Sequence, residues 1–172
     1  MTDTTSSSQL DEQQVWAALR DVPDPEMPVI SLVDMGVVHH VQVDAVNSSI
    51  RVEITPTFAG CPALARMCDE IQQRLLQLAA HVEVCVTMQQ PWTSDLLSEE
   101  AREKLRSIGI APPPRIRTGQ RRSLPLLMSQ PPACPHCGSQ QTTLENAFGP
   151  TPCRAIAYCT ACLQPFEAFK PI

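Results

Sequence analysis

Two short motifs near the C-terminus, C-P-H-C at 134–137 and C-T-A-C at 159–162, constrain the fold of this chain more than any other feature. Each places two thiols three residues apart, and 21 residues separate the pairs. Two such knuckles supply four sulfurs to one tetrahedral ion, so Cys134, Cys137, Cys159 and Cys162 read as a closed metal site. Structural zinc is the reading for the ion, and an iron–sulfur centre on the same thiols is the alternative. Gly138 follows the first knuckle, where a tight turn calls for glycine. The 39 residues from 134 to 172 are too few to fold around a core of their own, so the metal is expected to supply much of their stability. A fifth thiol, Cys153, is surplus to a four-ligand site. It reads either as a small buried or turn residue, or as a redox, cluster or alternate ligand. His136, inside the first knuckle, reads as solvated or bonded to backbone.

The rest of the chain sets the compartment and the exclusions. The N-terminus, M-T-D-T-T-S-S-S-Q-L, has no basic stretch followed by an apolar run, so no secretory signal is read there. No run approaches the ~18 apolar residues of a membrane span. The expected compartment is the cytoplasm, where eight cysteines read as ligands, reactive thiols or core residues rather than disulfides. A net charge of −5 and an aromatic share of 4% argue against a nucleic-acid partner and against an anionic membrane.

Residues 1–10 are polar and expected to be disordered. Residues 1–110 carry 7 basic and 16 acidic side chains, and residues 11–110 have the periodicity of an α+β domain. Asp11 is a helix cap, with Gln14 placed for a capping box, and the helix stops at D-V-P-D-P-E-M-P. Asp34 and Gly36 predict a turn. Val37, His39, Val41 and Val43 then alternate with Val38, His40 and Gln42, and Ile50, Val52 and Ile54 follow on one face, so N-S-S between the two runs predicts a hairpin. A helix is predicted from Pro62 to Ala80, a third strand over 82–88, and a charged helix from Ser98 to about Ile108, stopped by Gly109. Residues 111–133 hold six prolines, four arginines and no acid, and read as a stiff basic linker to the ribbon at 134–172.

One further thiol stands at a seam. In T-P-T-F-A-G-C-P-A, residues 55–63, Cys61 joins a predicted strand to a predicted helix, with Pro62 at the first helical position. A thiol at a helix N-terminus is expected to have a lowered pKa, which suits a reactive or metal-binding role; a small buried cap residue is the plainer reading. Asp24, Glu26 and Asp34 would approach Cys61 if their loops lie at the same end of the sheet, though acids in such loops commonly just form turns. Cys68 falls in register with Leu64, Ile71 and Leu75 and reads as core, and Cys85 as a buried strand residue. His39 and His40 point to opposite faces and read as structural. With no histidine near Cys61 in sequence, a nucleophilic enzyme lacks its base.

The segments D-P-E-M-P, L-V-D-M-G-V-V and T-P-T-F-A-G-C-P-A resemble the metal-sulfur cluster biosynthesis family. The continuation P-W-T-S-D-L-L-S-E-E-A-R-E-K-L-R-S-I-G-I-A-P-P and the tail F-G-P-T-P-C-R-A-I-A-Y-C-T-A-C-L-Q-P-F-E-A-F-K are similar to its phenylacetate-degradation branch, over residues 11–172. The resemblance implies a small α+β domain with helices on a three-stranded sheet, plus the ribbon. It implies an accessory, non-catalytic role beside the multicomponent phenylacetyl-CoA epoxidase, with the epoxidase subunits, and above all the iron–sulfur reductase, as partners. On it, Cys61, Asp24, Glu26 and Asp34 fall on the family's thiol and acids, and Cys153 on its cysteine after F-G-x-T. Cys61, completed by a client ligand or by a second copy in a homodimer, would hold iron or an iron–sulfur cluster transiently. A structural subunit of the oxygenase is the alternative. The chain departs from the pattern T-P-T-Y-S-G-C-P at Phe58 and Ala59, which removes two hydroxyls. It also ends in Pro171 and Ile172 where relatives often carry a cysteine, so no C-terminal thiol is a required ligand.

Overall fold

The computed structural model describes residues 10–115 and 131–171. The N-terminal stretch expected to be disordered, apart from Leu10, lies outside the described residues, as does most of the basic linker with Arg117, Arg121 and Arg122.

Helix α1 spans Glu12–Arg20 and buries Val15, Ala18 and Leu19. Asp11 caps it by accepting a hydrogen bond from the Gln13 amide at 3.3 Å. The proline-rich loop that follows is not a solvated connection. A β-bridge between Pro23 and Ser31 closes it, and Val22, Met27, Ile30, Leu32 and Met35 all point into the core. Gly36 turns the chain with φ +69°, and a Cβ there would sit 2.6 Å from Leu96, so both the backbone and the packing require glycine.

Strands β1 (Val38–Asp44) and β2 (Ser49–Ile54) form the predicted antiparallel hairpin, with Val41 opposite Val52. The Asp44 carboxylate holds its turn by accepting from the Val46 and Asn47 amides and from Asn47 Nδ2. An irregularity between Val38 and His40 shifts the alternation read from sequence, so that Val37 and Val38 are both buried. Helix α2 (Leu64–Leu75) crosses to β3 (His81–Val86), which pairs parallel to β2 and completes a three-stranded sheet in the order β1-β2-β3. The helix is shorter than predicted: it starts two residues after Pro62 and ends before Leu76 and Leu78, which are exposed. Helix α3 (Glu99–Ser107) is capped by the Ser98 hydroxyl and stops at Gly109, φ +81°.

The C-terminal ribbon is β5 (Thr142–Asn146), β6 (Arg154–Cys159) and β7 (Gln164–Phe169), antiparallel in sequence order. Its sheet has a fourth strand, β4 (Ile110–Ala111), which follows α3 directly and pairs parallel to β7, with Ala111 opposite Ala168. Phe169, fully buried, and Cys153 join the apolar cluster that also contains Val15, Ile54 and Ile71. The Trp92 and Phe169 rings lie 5.8 Å apart, and Trp92 Nε1 donates to the Met35 carbonyl at 2.8 Å. Arg102, 3% exposed, donates to the carbonyls of Ser94 and Pro113, pinning the start of the linker. The tail that is too small to carry a core therefore borrows one from the α+β layer, in addition to any metal.

Because Trp92 and Phe169 fill each other's space, Trp92→Ala or Phe169→Ala is expected to cost about 3–5 kcal/mol. Chemical denaturation of the zinc-loaded chain, followed by circular dichroism, should show both layers lost together at lower denaturant.

Candidate metal centre and thiol–carboxylate seam

The two knuckles converge at one end of the ribbon. Cys134 Sγ lies 3.7 Å from Cys162 Sγ, and Cys137 Sγ lies 3.6 Å from Cys159 Sγ. All four sulfurs lie within 4.8 Å of one another. A zinc–sulfur bond of about 2.3 Å in a tetrahedron requires sulfurs about 3.8 Å apart, and these two pairs already stand close to that spacing. Both knuckles use the same turn: the Gly138 amide donates to the Cys134 carbonyl and the Leu163 amide to that of Cys159, each at 2.9 Å. The residue after each knuckle is left-handed, Gly138 at φ +75° and Leu163 at φ +61°. Gly138 is free of strain there, whereas Leu163 holds the same conformation with a side chain, 65% exposed, that repays little of it by packing. Backbone amides of Cys162 and Ala161 lower the Cys159 pKa to about 7, while desolvation and the neighbouring thiols push Cys162 up to about 12. Four thiolates together need a cation. His136 is not needed as a ligand; its ring lies close to Gly109, where a Cβ would meet it at 3.0 Å.

A second group of reactive side chains lies where the ribbon meets the α+β layer. Asp24 is 2% exposed, and its Oδ1 accepts from the amides of Glu26 and Met27, both at 2.8 Å. Burial pushes the Asp24 carboxyl above its usual range; those amides and Arg154 oppose the shift, and Glu70 adds to it. Glu26 is pushed up too, by burial and by Asp24. Both carboxylates bear on the half-buried Cys61. They also bear on Cys153, which is 5% exposed and lies 3.1 Å from Thr151 Oγ1. Two carboxylates on the loop after α1 thus act electrostatically on a thiol in the turn before α2 and on one just ahead of β6.

Three expectations need correcting. Cys61 does not have a lowered pKa. Helix α2 begins at Leu64, and although the amides of Ala63 and Leu64 favour the thiolate, burial and then Glu26 and Asp24 outweigh them and raise the pKa. Asp34 is turned elsewhere: its carboxylate is 3.4 Å from Lys104 Nζ on α3, and its carbonyl accepts from the Ser98 amide. Cys85 is not core. Val82 and Val84 pack inward, while Cys85, opposite Glu53 in register, is half-buried on the other face of the edge strand. Cys68 packs against the core as expected, though only half-buried. Two seam residues escaped the sequence reading. Glu70 lies on α2 nine residues after Cys61, in what reads as an ordinary Arg66–Glu70 surface pair; Arg154 looks like any strand cation.

Comparison with known proteins agrees with this architecture. Residues 123–170 match the model described as the PaaD zinc beta ribbon domain, and residues 12–88 match the iron-sulfur cluster assembly protein model. An Escherichia coli (strain K12) protein, provisionally named as a 1,2-phenylacetyl-CoA epoxidase subunit, is 35% identical over 92% of this chain and 92% of its own length. The chain belongs to the PaaD family. Its α+β part is also similar to a Porphyromonas gingivalis Fe-S protein maturation auxiliary factor, 30% identical over 55% of this chain and 90% of that one. A crystal structure of a domain of unknown function from Bacillus anthracis matches at TM-score 0.51 and 28% identity, covering 55% of this chain and 90% of that one. This PaaD-family chain thus joins an assembly-type α+β layer to a ribbon whose four cysteines are arranged to bind metal. Among the described residues no helix is long and apolar enough to cross a membrane.

With its pKa raised, the Cys61 thiol should alkylate slowly at neutral pH and faster as pH climbs through the raised value, above the ordinary 9.0. Glu26→Gln removes a negative charge beside it, lowers that pKa, and should speed Cys61 alkylation at any pH below it, as read by mass spectrometry.

Proposed function

We propose that this protein is a non-catalytic accessory factor that assists iron–sulfur cluster or metal-centre assembly for the phenylacetyl-CoA epoxidase in aerobic phenylacetate catabolism. The coarser part, an iron–sulfur assembly role, draws support from the matched assembly family and from relatives named as maturation factors. The link to the epoxidase draws on the name of one relative. The observation that carries the reading is the setting of Cys61: a half-buried thiol whose pKa is raised by burial, with Glu26 and Asp24 adding to the shift. Such a thiol is a poor nucleophile at neutral pH, and no imidazole is among the groups shifting it. Soft sulfur beside hard oxygen suits iron. A holder that must give up its cargo benefits from ligands that take their protons back.

In this reading the ribbon zinc, held by Cys134, Cys137, Cys159 and Cys162, is structural. Iron or a cluster is cargo held at Cys61 with Asp24 and Glu26, and the iron–sulfur reductase is the client. The second reading, a structural component of the oxygenase, is favoured by the relative's being named a subunit. The two separate in cells whose only copy carries Cys61→Ser. An assembly factor predicts that the reductase accumulates with its cluster largely missing, read as iron and sulfide per reductase. A structural component predicts full cluster content.

A further inference from the structure

Among the described residues, β1 and β3 form the edges of the α+β sheet, and β4 and β5 those of the ribbon sheet. An open edge invites pairing with another chain, and folded proteins blunt it. Most of these edges are blunted. β4 has two residues, β1 is broken by the irregularity between Val38 and His40, and β5 by one between Leu144 and Asn146. β3 is different. Its six residues, H-V-E-V-C-V, keep an unbroken register with β2 and include neither proline nor lysine. Its acid, Glu83, is already paired with Arg51 at 3.1 Å.

The hydrogen bonds show which backbone groups of β3 are free. The His81 amide donates to the Ser48 carbonyl and the Thr87 amide to that of Ile54, so the odd-numbered residues face β2. Alternation turns the amides and carbonyls of Val82, Val84 and Val86 away from it. Gln72 Nε2 on α2 donates to the Val82 carbonyl at 3.2 Å, which agrees with that direction and caps the group. The other outward groups have no strand beside them among the described residues. Apolar surface accompanies them. Val82 and Val84 pack on the core, whereas Val86, on the same face, is 43% exposed and Met88, two residues on, is 51% exposed. Beside Val82 lies a groove of about 410 Å³, larger than a methionine side chain, lined by Gln72, Leu76 and Ala80.

We propose that the β3 edge is a homodimer interface, on which a second copy of this chain lays its own β3 antiparallel to extend the sheet. One register satisfies the edge. It is centred on Cys85, with Val84 opposite Val86 of the second copy, Glu83 opposite Thr87, and Val82 opposite Met88. The Val84 and Val86 amides and carbonyls then all bond across the two-fold axis, and the Val82 amide reaches the Met88 carbonyl. The Val82 carbonyl stays with Gln72. Centring on Val84 would call on that capped carbonyl, centring on Glu83 would set two carboxylates directly opposite, and centring on Val86 would leave the Val82 amide unpaired. On the core-facing side, Met88 of each copy enters the other's groove against Leu76, itself 49% exposed, so the contact is self-complementary. The paired strands run in opposite directions, so the two Cys61 turns, each beyond the C-terminal end of β2, point to opposite ends of the extended sheet. The dimer leaves each Cys61 to be completed by a client ligand rather than by the second copy.

Sedimentation velocity of the zinc-loaded full-length chain, in reductant and at rising concentration, is expected to show a monomer–dimer equilibrium. Val86→Lys puts a charge on the free edge and leaves the pairing with β2 in place. With circular dichroism and zinc content unchanged, it should weaken dimerisation roughly tenfold or more. A cross-link reads the register. Residues directly opposite in a non-hydrogen-bonded antiparallel pair have Cα atoms about 4.5 Å apart, within disulfide range. Brief treatment with diamide, which takes up the two thiol hydrogens as the sulfur–sulfur bond forms, should join Cys85 to Cys85 of the second copy. The link is mapped by mass spectrometry and should be absent from Cys85→Ser. This readout needs no edge variant, so it decides the matter even if Val86→Lys misfolds. A chain that stays monomeric to its highest soluble concentration would overturn the inference, as would a dimer that a folded Val86→Lys leaves intact. A dimer that cross-links elsewhere and not at Cys85 would overturn the register and, with it, the interface.

Discussion

A ribbon of under forty residues cannot bury enough apolar surface to order itself, and the architecture follows from how that shortage is met. Four sulfurs spaced for zinc close one end. At the other end Phe169 packs on Trp92, and the two-residue strand Ile110–Ala111 extends the ribbon sheet from the α+β side. Trp92 is fixed in turn by its bond to the Met35 carbonyl, in the loop network that also buries Asp24. The ribbon is therefore held at both ends. The strand Arg154–Cys159 runs between them.

That position gives the chemistry its character. A thiol on a strand-to-helix turn is usually read as activated, because helix amides favour the anion. Here two such amides do face Cys61, but low solvation and two carboxylates prevail. Burial raises the Cys153 pKa as well, and the same carboxylates add to it. Thiols kept protonated resist adventitious alkylation and oxidation. The zinc centre works differently: its sulfurs are already gathered within 4.8 Å, which suits a permanent ion.

Much of this was legible in the chain. The C-x-x-C pair specified the metal centre by spacing alone, and the alternating runs around Asn47 specified the hairpin. Asp24, Glu26 and Cys61 were marked by their motifs, and both carboxylates add to the raised pKa of the thiol. The rest depends on tertiary contact. Nothing local distinguishes Asp34, which Lys104 claims, from Asp24, which the core encloses. Nothing in a strand's alternation says that β3 is an edge with Cys85 on its outer face. Cys153 looked surplus because four cysteines already satisfied zinc; it is buried in the apolar cluster shared with the α+β layer, which no local pattern announces. Local pattern reports what a segment is, while the seam is set by what it meets.

The central claim is that Cys61 holds iron-containing cargo on a zinc-stabilised scaffold. The most direct test is the zinc, iron and acid-labile sulfide content of protein purified without oxygen, wild type beside Cys61→Ala. The claim predicts one zinc per chain in both, with iron, alone or with sulfide, present in the wild type and lost in the variant. Zinc alone in both, or iron undiminished in Cys61→Ala, would contradict it.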